Sequence, residues 1–376
     1  MSLLSATGYA VAAPFLSLFL IKEVQAGPVA VGAFLLVSAL AAMLVSTLLG
    51  RFSDGRAIRR ALLAVAGVSG AASWVLFAVV RDYWLLLAVA VTLWAVSSSQ
   101  VSQMYAYARQ LLDRSGSAKA PLMISGLRMT MSIAWVGGPP LGALLIAGTG
   151  FTGLFWVSAA VYALAVVVTL VWLPELAPTA GPSPEVARQS GPRREMALAA
   201  VAFVLLQGAT SVGVTAMPLF VTEDLGGTTG DAGLVLGLCA ALEIPLMLGF
   251  GALALRFNHR VLVLAGGAVA LAYYAVMLLT QATWQVMAAQ VLHAVVISAV
   301  MGVGISYFQD LAPDRPGYAS TLYTNTAKTS AMLSGPLLGL AQHFGYRTAY
   351  GMGLVMSVLG LVLLFAARRR DATPGT

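Results

Sequence analysis

The fold is decided by the apolar run from Pro121 to Gly150, which reads PLMISGLRMTMSIAWVGGPPLGALLIAGTG. About 20 apolar residues, each rising 1.5 Å, cross the hydrocarbon of a bilayer, so this run predicts a membrane-spanning helix. It contains one charged residue, Arg128, and a charge at the bilayer centre costs roughly 2.5–3.5 kcal/mol on insertion scales. We therefore expect Arg128 to face a bundle interior, a partner or water rather than lipid.

The second half of the chain repeats this pattern. Lys328 precedes a Gly-Pro-x-Leu-Gly turn that begins at Gly335, as Arg128 precedes the similar turn that begins at Gly138. Two further pairs of segments match in the same order and direction, which predicts two halves related by an axis along the membrane normal. These pairs are Arg51-Phe52-Ser53 with Arg256-Phe257-Asn258, and Tyr107 to Gly116 with Tyr307 to Gly317.

Composition places the whole chain in a membrane. Of the 376 residues, 59% are hydrophobic and only 9% are charged, whereas soluble domains average about 25% charged residues. Successive apolar runs, without the short alternating segments of a β-barrel, predict an all-α polytopic membrane protein. We predict twelve spans at residues 3–21, 29–49, 61–80, 83–108, 121–148, 152–173, 196–222, 232–255, 261–280, 283–308, 316–341 and 346–367.

The spans divide into two six-helix halves. Residues 1–173 form the predicted N-terminal half and residues 196–376 the C-terminal half. Between them, residues 174–195 are rich in Pro, Ala, Gly and Ser and show no hydrophobic period, which is typical of a flexible linker. We also expect the helices to break or bend at Pro139-Pro140 and at Pro336, because proline removes an intrahelical hydrogen bond.

The basic residues fix the orientation of the spans. Most of the 21 Lys and Arg residues fall in alternate loops, and the opposite loops hold only Lys22, Arg81 and Arg347. The positive-inside rule therefore predicts that both termini and the linker are cytoplasmic. This topology also accounts for the net charge of +7, so we expect no nucleic-acid partner.

Several classes of function are not supported by the residues. The single cysteine, Cys239, excludes an internal disulfide, and there is no Cys/His cluster for a metal or another cofactor. No Ser-His-Asp or Cys-His set is visible, so we expect a protein that is not an enzyme. A receptor would usually bring a domain outside the membrane, whereas the longest loop here is a linker.

The loop after the second span carries a recognisable motif. Gly50, Asp54 and Arg56 have the Gly-x-x-x-Asp-x-basic form of the corresponding loop in the major facilitator superfamily. A small residue there lets helix ends approach, and the carboxylate can cap a neighbouring helix or pair with an arginine. We expect these three residues to form a cytoplasmic gate motif.

Further segments from the first span to the twelfth together resemble the bacterial sugar efflux transporter family of that superfamily. These segments include Ala13–Leu20, Gln103–Arg109, Ser132–Leu141, Met217–Phe220, Leu242–Pro245, Tyr307–Leu311 and Thr321–Thr326. The resemblance implies a monomer in the bacterial cytoplasmic (inner) membrane, surrounded by lipid, that exports sugars or glycosides, with protons as the coupling ion in antiport. Efflux of drugs or of other small metabolites is the alternative.

The resemblance also suggests a partner for Arg128. In this superfamily spans 5 and 8 lie against each other across the two halves, and Glu243 is the only acidic residue inside a span. Arg128 and Glu243 are therefore expected to pair. Two readings stay open: Glu243 carries a proton during transport, or the two residues form a static interhelical ion pair.

Seven polar residues in the spans are candidates for contact with substrate. On span 11, Asn325 and Lys328 share a face, and on span 10 Gln290 and His293 share another, because residues three apart are neighbours on a helix. His293 stands where the resemblance implies an amide-type residue. The weaker candidates are Gln103 and Tyr107 on span 4 and Gln207 on span 7.

Overall fold

The structure is a computed structural model of the chain. It describes residues 1–53, 58–115, 120–175, 194–312 and 316–367, and it describes the backbone alone for residues 51, 109–110, 112–115, 120–129 and 316–317. Within these ranges every regular element is a helix. The elements are α1 Ser2–Ala12, α2 Leu16–Lys22, α3 Pro28–Ser53, α4 Arg59–Val79, α5 Tyr83–Val89, α6 Ala95–Ser115, α7 Ala120–Trp172, α8 Arg194–Leu219, α9 Thr229–Ala254, α10 His259–Leu279, α11 Thr283–Ile297, α12 Val303–Leu311, α13 Pro316–Phe344 and α14 Arg347–Ala366.

Short segments of other helical types join some of these elements into longer rods. A 3-10 turn at Ala13–Phe15 connects α1 to α2, with Pro14 supplying the interruption. Single π turns connect α5 to α6 and α11 to α12, and another extends α8. They lie at Ala90–Trp94, Ser298–Gly302 and Phe220–Asp224.

Ten helices in the described ranges are long and apolar enough to cross a membrane, which makes the chain a multi-pass membrane protein. One of the ten, Thr130–Trp172, is 43 residues long, about twice the length that a span needs. Gly150 divides it, with φ 68° and ψ −172°, a conformation that only glycine adopts without strain. The helix α13 is not among the ten, and it contains Lys328 and several threonines.

The structure has no helix break at the predicted prolines, and a bend at these positions stays a prediction. Both α7 and α13 continue as helices through Pro139, Pro140 and Pro336. The fixed φ of proline is itself helical, and neighbouring groups in a bundle can satisfy the carbonyl that it leaves free. The interruption in α7 comes ten residues later, at Gly150.

The described chain groups into two compact units. Unit 1 contains residues 1–183 and 217–241, and unit 2 contains residues 184–216 and 242–376. The boundaries fall inside α8 and inside α9, so one end of each helix belongs to each unit. The division of the sequence into halves at residues 174–195 stays a prediction.

Aromatic side chains form the core of each unit. In unit 1, Phe155 packs edge-on against Phe19 with ring centroids 4.8 Å apart and stacks on Trp74 at 5.6 Å. In unit 2, Phe203 packs edge-on against Phe308 at 5.0 Å and lies 5.9 Å from Tyr323. Rings of this size bury large areas and prefer these edge-on or offset geometries.

An arginine at the start of α4 binds the end of α7, and one at the start of α10 binds the end of α14. In unit 1, Nη2 of Arg60 donates to the carbonyl of Leu170 at 2.5 Å. In unit 2, Nη2 of Arg260 donates to the carbonyls of Leu364 at 2.9 Å and Phe365 at 3.2 Å. The last carbonyls of a helix lack intrahelical donors and carry partial negative charge, so a cation is stabilising there.

Arginines also bind carbonyls at the opposite ends of α4 and α10. Nη1 of Arg81 donates to the carbonyls of Phe77 at 3.0 Å and Ala78 at 3.1 Å, at the end of α4. Nη1 of Arg347 donates to the carbonyl of Leu278 at 2.7 Å, at the end of α10. In unit 2, arginine–carbonyl contacts therefore connect α10 and α14 at both ends, whereas the carbonyls that Arg81 binds belong to the end of α4 itself.

We expect Arg260→Gln to lower the stability of unit 2 by about 1–2 kcal/mol, because it removes a cation and two charge-assisted hydrogen bonds from a helix end. The measurement is the thermal unfolding midpoint of the purified protein in detergent. The control is Arg256→Gln, which changes an exposed arginine four residues earlier. Equal midpoints for the two variants would mean that the Arg260 contacts contribute nothing to stability.

Candidate functional site

The helix α13 presents two different polar faces. Thr326 and Ser330 are buried, and they face the rest of unit 2. Nε2 of Gln207, on α8, donates to Oγ1 of Thr326 at 3.4 Å. Oγ of Ser330 donates to the carbonyl of Val204 at 2.9 Å. These contacts fix the rotation of α13 about its own axis.

The opposite face of α13 carries a stripe of polar side chains. Asn325 is exposed and Lys328 is half-buried. Thr321 and Thr324 are exposed on the same face, at the i, i+3/i+4, i+7 spacing of one helical stripe. We call Thr321, Thr324, Asn325 and Lys328 the α13 stripe.

The two threonines of the α13 stripe were not predicted as site residues. The helical spacing of Thr321, Thr324 and Lys328 was present in the sequence and could have identified them. Lipid is a costly environment for the ammonium of Lys328 and the amide of Asn325. A water-containing space is therefore the environment that suits this stripe.

Gln290 and His293 are brought together, but in a buried position. Their exposed fractions are 0% and 1%, and Nδ1 of His293 lies 3.2 Å from Oε1 of Gln290. The imidazole stacks on the ring of Tyr273 with centroids 4.5 Å apart and an angle of 4°. Nε2 of Gln290 also donates to the carbonyl of Val286 at 3.0 Å. The pair thus belongs to the packed contact between α10 and α11.

Gln207 is likewise buried, and its side-chain amide donates to Thr326 on α13. Its amide connects α8 to the buried face of α13 within unit 2. A sugar could reach Gln207, Gln290 or His293 only in a conformation that exposes them. Their role in substrate binding stays a prediction.

The two candidates on the fourth span lie in unit 1 and make structural contacts. Nε2 of Gln103 donates to Oγ of Ser53, at the end of α3, over 3.4 Å. The hydroxyl of Tyr107 donates to the carbonyl of Pro174 at 2.7 Å. Tyr107 therefore contacts the beginning of the predicted linker, which sequence spacing alone did not indicate.

The predicted gate motif lies mostly outside the described residues. Asp54 and Arg56 fall in the gap after residue 53. Gly50 is described, and a Cβ at that position would meet no heavy atom of the described residues within 4 Å. The role of these three residues as a gate stays a prediction.

The structure describes only one side chain of the predicted Arg128–Glu243 pair. Glu243 is half-buried on α9 and takes part in a polar or electrostatic contact. The side chain of Arg128 lies outside the described residues, so the predicted pair stays a prediction. Among the residues that the structure describes, no three His, Cys, Asp or Glu side chains are grouped as a metal site would require.

Comparisons with known proteins agree with this all-helical architecture. The Major Facilitator Superfamily profile matches residues 1–336 and 198–376. Among solved structures, a mutant of the nucleoside transporter NupG superposes with a TM-score of 0.81 at 14% identity, covering 98% of each chain. At that identity the likeness concerns the fold alone.

Curated relatives are much more similar in sequence. Sugar efflux transporter B of Salmonella typhimurium is 37% identical over 362 residues, covering 95% of this chain and 91% of the relative. Sugar efflux transporter A of Escherichia coli K12 is 34% identical over 358 residues, covering 94% and 91%. The chain is accordingly a membrane transporter rather than an enzyme, and it belongs to the sugar efflux transporter family of the major facilitator superfamily.

Proposed function

We propose that this chain exports sugars or glycosides from the bacterial cytoplasm across the inner membrane. Transport proceeds by alternating access of a substrate site to the two sides, driven by antiport of protons. The substrate class is supported by the relatives that match nearly the whole chain, because they are named sugar efflux transporters. Proton coupling rests on the resemblance and on the acid inside a span, Glu243.

The observation that carries the proposal is the α13 stripe. A sugar offers hydroxyl groups that both donate and accept hydrogen bonds, so it needs directed polar partners in an otherwise apolar surface. The amide of Asn325 supplies a donor and an acceptor, the threonine hydroxyls supply both, and Lys328 supplies donors only. The amide and the threonine hydroxyls are exposed and Lys328 is half-buried, all on one side of a helix of membrane-spanning length.

The proposed topology has twelve spans and two cytoplasmic termini. The ten apolar helices reach this number if the helix divided at Gly150 counts as two and α13 counts as one. The basic loops then face the cytoplasm, with Asp54 and Arg56 in one of them as gate residues. Lys22, Arg81 and Arg347 lie on the periplasmic side.

We expect Asn325→Ala to weaken sugar binding by about 1–3 kcal/mol, or roughly 5- to 150-fold in affinity, because sugar hydroxyls would lose their amide partner. The measurement is the concentration dependence of sugar counterflow in proteoliposomes. Gln342→Ala, an amide change near the end of the same helix, is the control. Unchanged sugar affinity in Asn325→Ala would remove the α13 stripe from the binding site.

A further inference from the structure

An ion pair connects the end of the first span to the end of the seventh. Nζ of Lys22, the last residue of α2, lies 2.6 Å from Oε1 of Glu223, in the π turn that extends α8. The two residues come from opposite halves of the sequence. Both nevertheless lie in unit 1, because residues 217–241 group with residues 1–183.

A second contact holds residues 217–241 in unit 1. A Cβ at Gly233 would lie 2.7 Å from the Cβ of Ala143 and 2.7 Å from the carbonyl oxygen of Pro139. A Cβ at Gly237 would lie 2.6 Å from Cγ of Pro140 and 2.8 Å from the carbonyl oxygen of Val136. The backbones of α7 and α9 thus approach to a distance that only small residues permit.

The unit boundaries show which contacts a transport cycle has to change. The remainders of α8 and α9, residues 194–216 and 242–254, belong to unit 2. If the six-helix halves reorient as bodies, each helix moves as a whole, and residues 217–241 leave unit 1. The contacts that hold this segment must then break and re-form.

We propose that the Lys22–Glu223 ion pair is a latch that closes the Lys22 side of the transport path and opens once in each cycle. The proposal rests on the alternating access assumed in the proposed function. The side chains of Lys22 and Glu223 are 49% and 35% exposed. An exposed ion pair of this kind shifts the equilibrium between the open and closed conformations by about 1.5- to 5-fold. The latch therefore favours the closed conformation while leaving the open one populated.

A neighbouring ion pair provides an internal control. Nε of Arg81 lies 3.2 Å from Oε2 of Glu23, and Nη2 of Arg81 donates to Oγ1 of Thr152 at 2.9 Å. All three residues belong to the N-terminal half of the sequence. Glu23 is adjacent to Lys22 in the chain, but its pair does not have to break when the halves reorient.

The first test joins Lys22 to Glu223 covalently. A water-soluble carbodiimide converts the carboxyl of Glu223 to an O-acylisourea, and the amine of Lys22 attacks the acyl carbon, forming an amide and releasing the urea. We expect a cross-linked peptide containing both residues and loss of sugar counterflow in the cross-linked protein. Lys22→Arg keeps the charge but forms no amide, so counterflow should survive the same treatment. Full counterflow in cross-linked protein would overturn the proposal, as would failure of the link to form.

The second test needs no sugar. We expect Lys22→Gln to speed hydrogen exchange in peptides from residues 217–241 by about 1.5- to 5-fold, because the closed state is populated less. Glu23→Gln should leave these peptides unchanged. If exchange responds but no sugar is transported, the proposed substrate fails and the latch stands. If sugar is transported and Lys22→Gln leaves exchange unchanged, the latch alone is overturned.

Discussion

Glu243→Gln is expected to abolish sugar accumulation driven by a pH gradient while leaving sugar exchange without a gradient largely intact. Glutamine has nearly the same shape and can hydrogen-bond, but it cannot take up or release a proton. A carrier whose two conformations are biased by protonation loses that bias when the acid is removed. Exchange needs only the sugar site and the conformational change, so it should continue.

The measurement is efflux and exchange in the same proteoliposomes, with and without an imposed pH gradient. Glu175→Gln, which changes an exposed carboxyl outside the spans, is the control. Full gradient-driven transport by Glu243→Gln would make Glu243 a structural residue and move proton coupling elsewhere.

Arg128→Ala should impair both gradient-driven transport and exchange. If Arg128 is the partner of Glu243, its removal leaves an unpaired carboxyl in the membrane, and such a group is costly. The comparison of the two variants separates the readings left open by the sequence. Unimpaired exchange in Arg128→Ala would exclude the ion pair as a requirement for transport.

Gly142→Ala is expected to destabilise unit 1 by roughly 1–3 kcal/mol, the usual cost of overpacking a tight core contact. A Cβ at Gly142 would overlap the carbonyl oxygen of Val11 and lie 2.9 Å from Cε2 of Phe15. Both neighbours are on the first span, and a backbone carbonyl in a helix cannot move aside cheaply. The measurement is the thermal unfolding midpoint in detergent.

Gly137→Ala is the matched control, because it lies in the same glycine-proline run of the same helix. A Cβ at Gly137 would meet no heavy atom within 4 Å among the residues that the structure describes. The alanine there should be neutral, or slightly stabilising since alanine favours a helix over glycine. Equal unfolding midpoints for Gly137→Ala and Gly142→Ala would contradict the packing of the first span against α7.

The all-helical, membrane-spanning architecture was predictable because it depends on length and hydropathy, which the sequence contains directly, whereas the count of twelve spans stays a prediction. The shared face of Gln290 and His293 was also predictable, because the i, i+3 spacing is local. The stacking of His293 on Tyr273 was not, since it depends on how α10 and α11 pack. A linear pattern places residues on a face of a helix, but it does not say what covers that face.

Tyr107 and the proline pair in α7 also show what a linear pattern leaves out. Tyr107 was a substrate candidate as a polar residue on span 4, and its contact with the carbonyl of Pro174 was not visible in the sequence. Its role in substrate binding stays a prediction. The proline pair in α7 predicted a break from its chemistry, whereas the interruption is at Gly150, where the backbone turns. The Tyr107 contact depends on a residue 67 positions away, and the turn at Gly150 depends on a backbone conformation that residue type alone does not specify.

The most direct test of the account is counterflow of a panel of labelled sugars and glycosides into proteoliposomes preloaded with the unlabelled compounds. Export of sugars predicts transient accumulation of at least one labelled sugar by the wild type, weaker in Asn325→Ala and unchanged in Gln342→Ala. Nucleosides and cationic drugs serve as the comparison compounds. Accumulation of a nucleoside or a drug, with no sugar accumulating, would contradict the proposal.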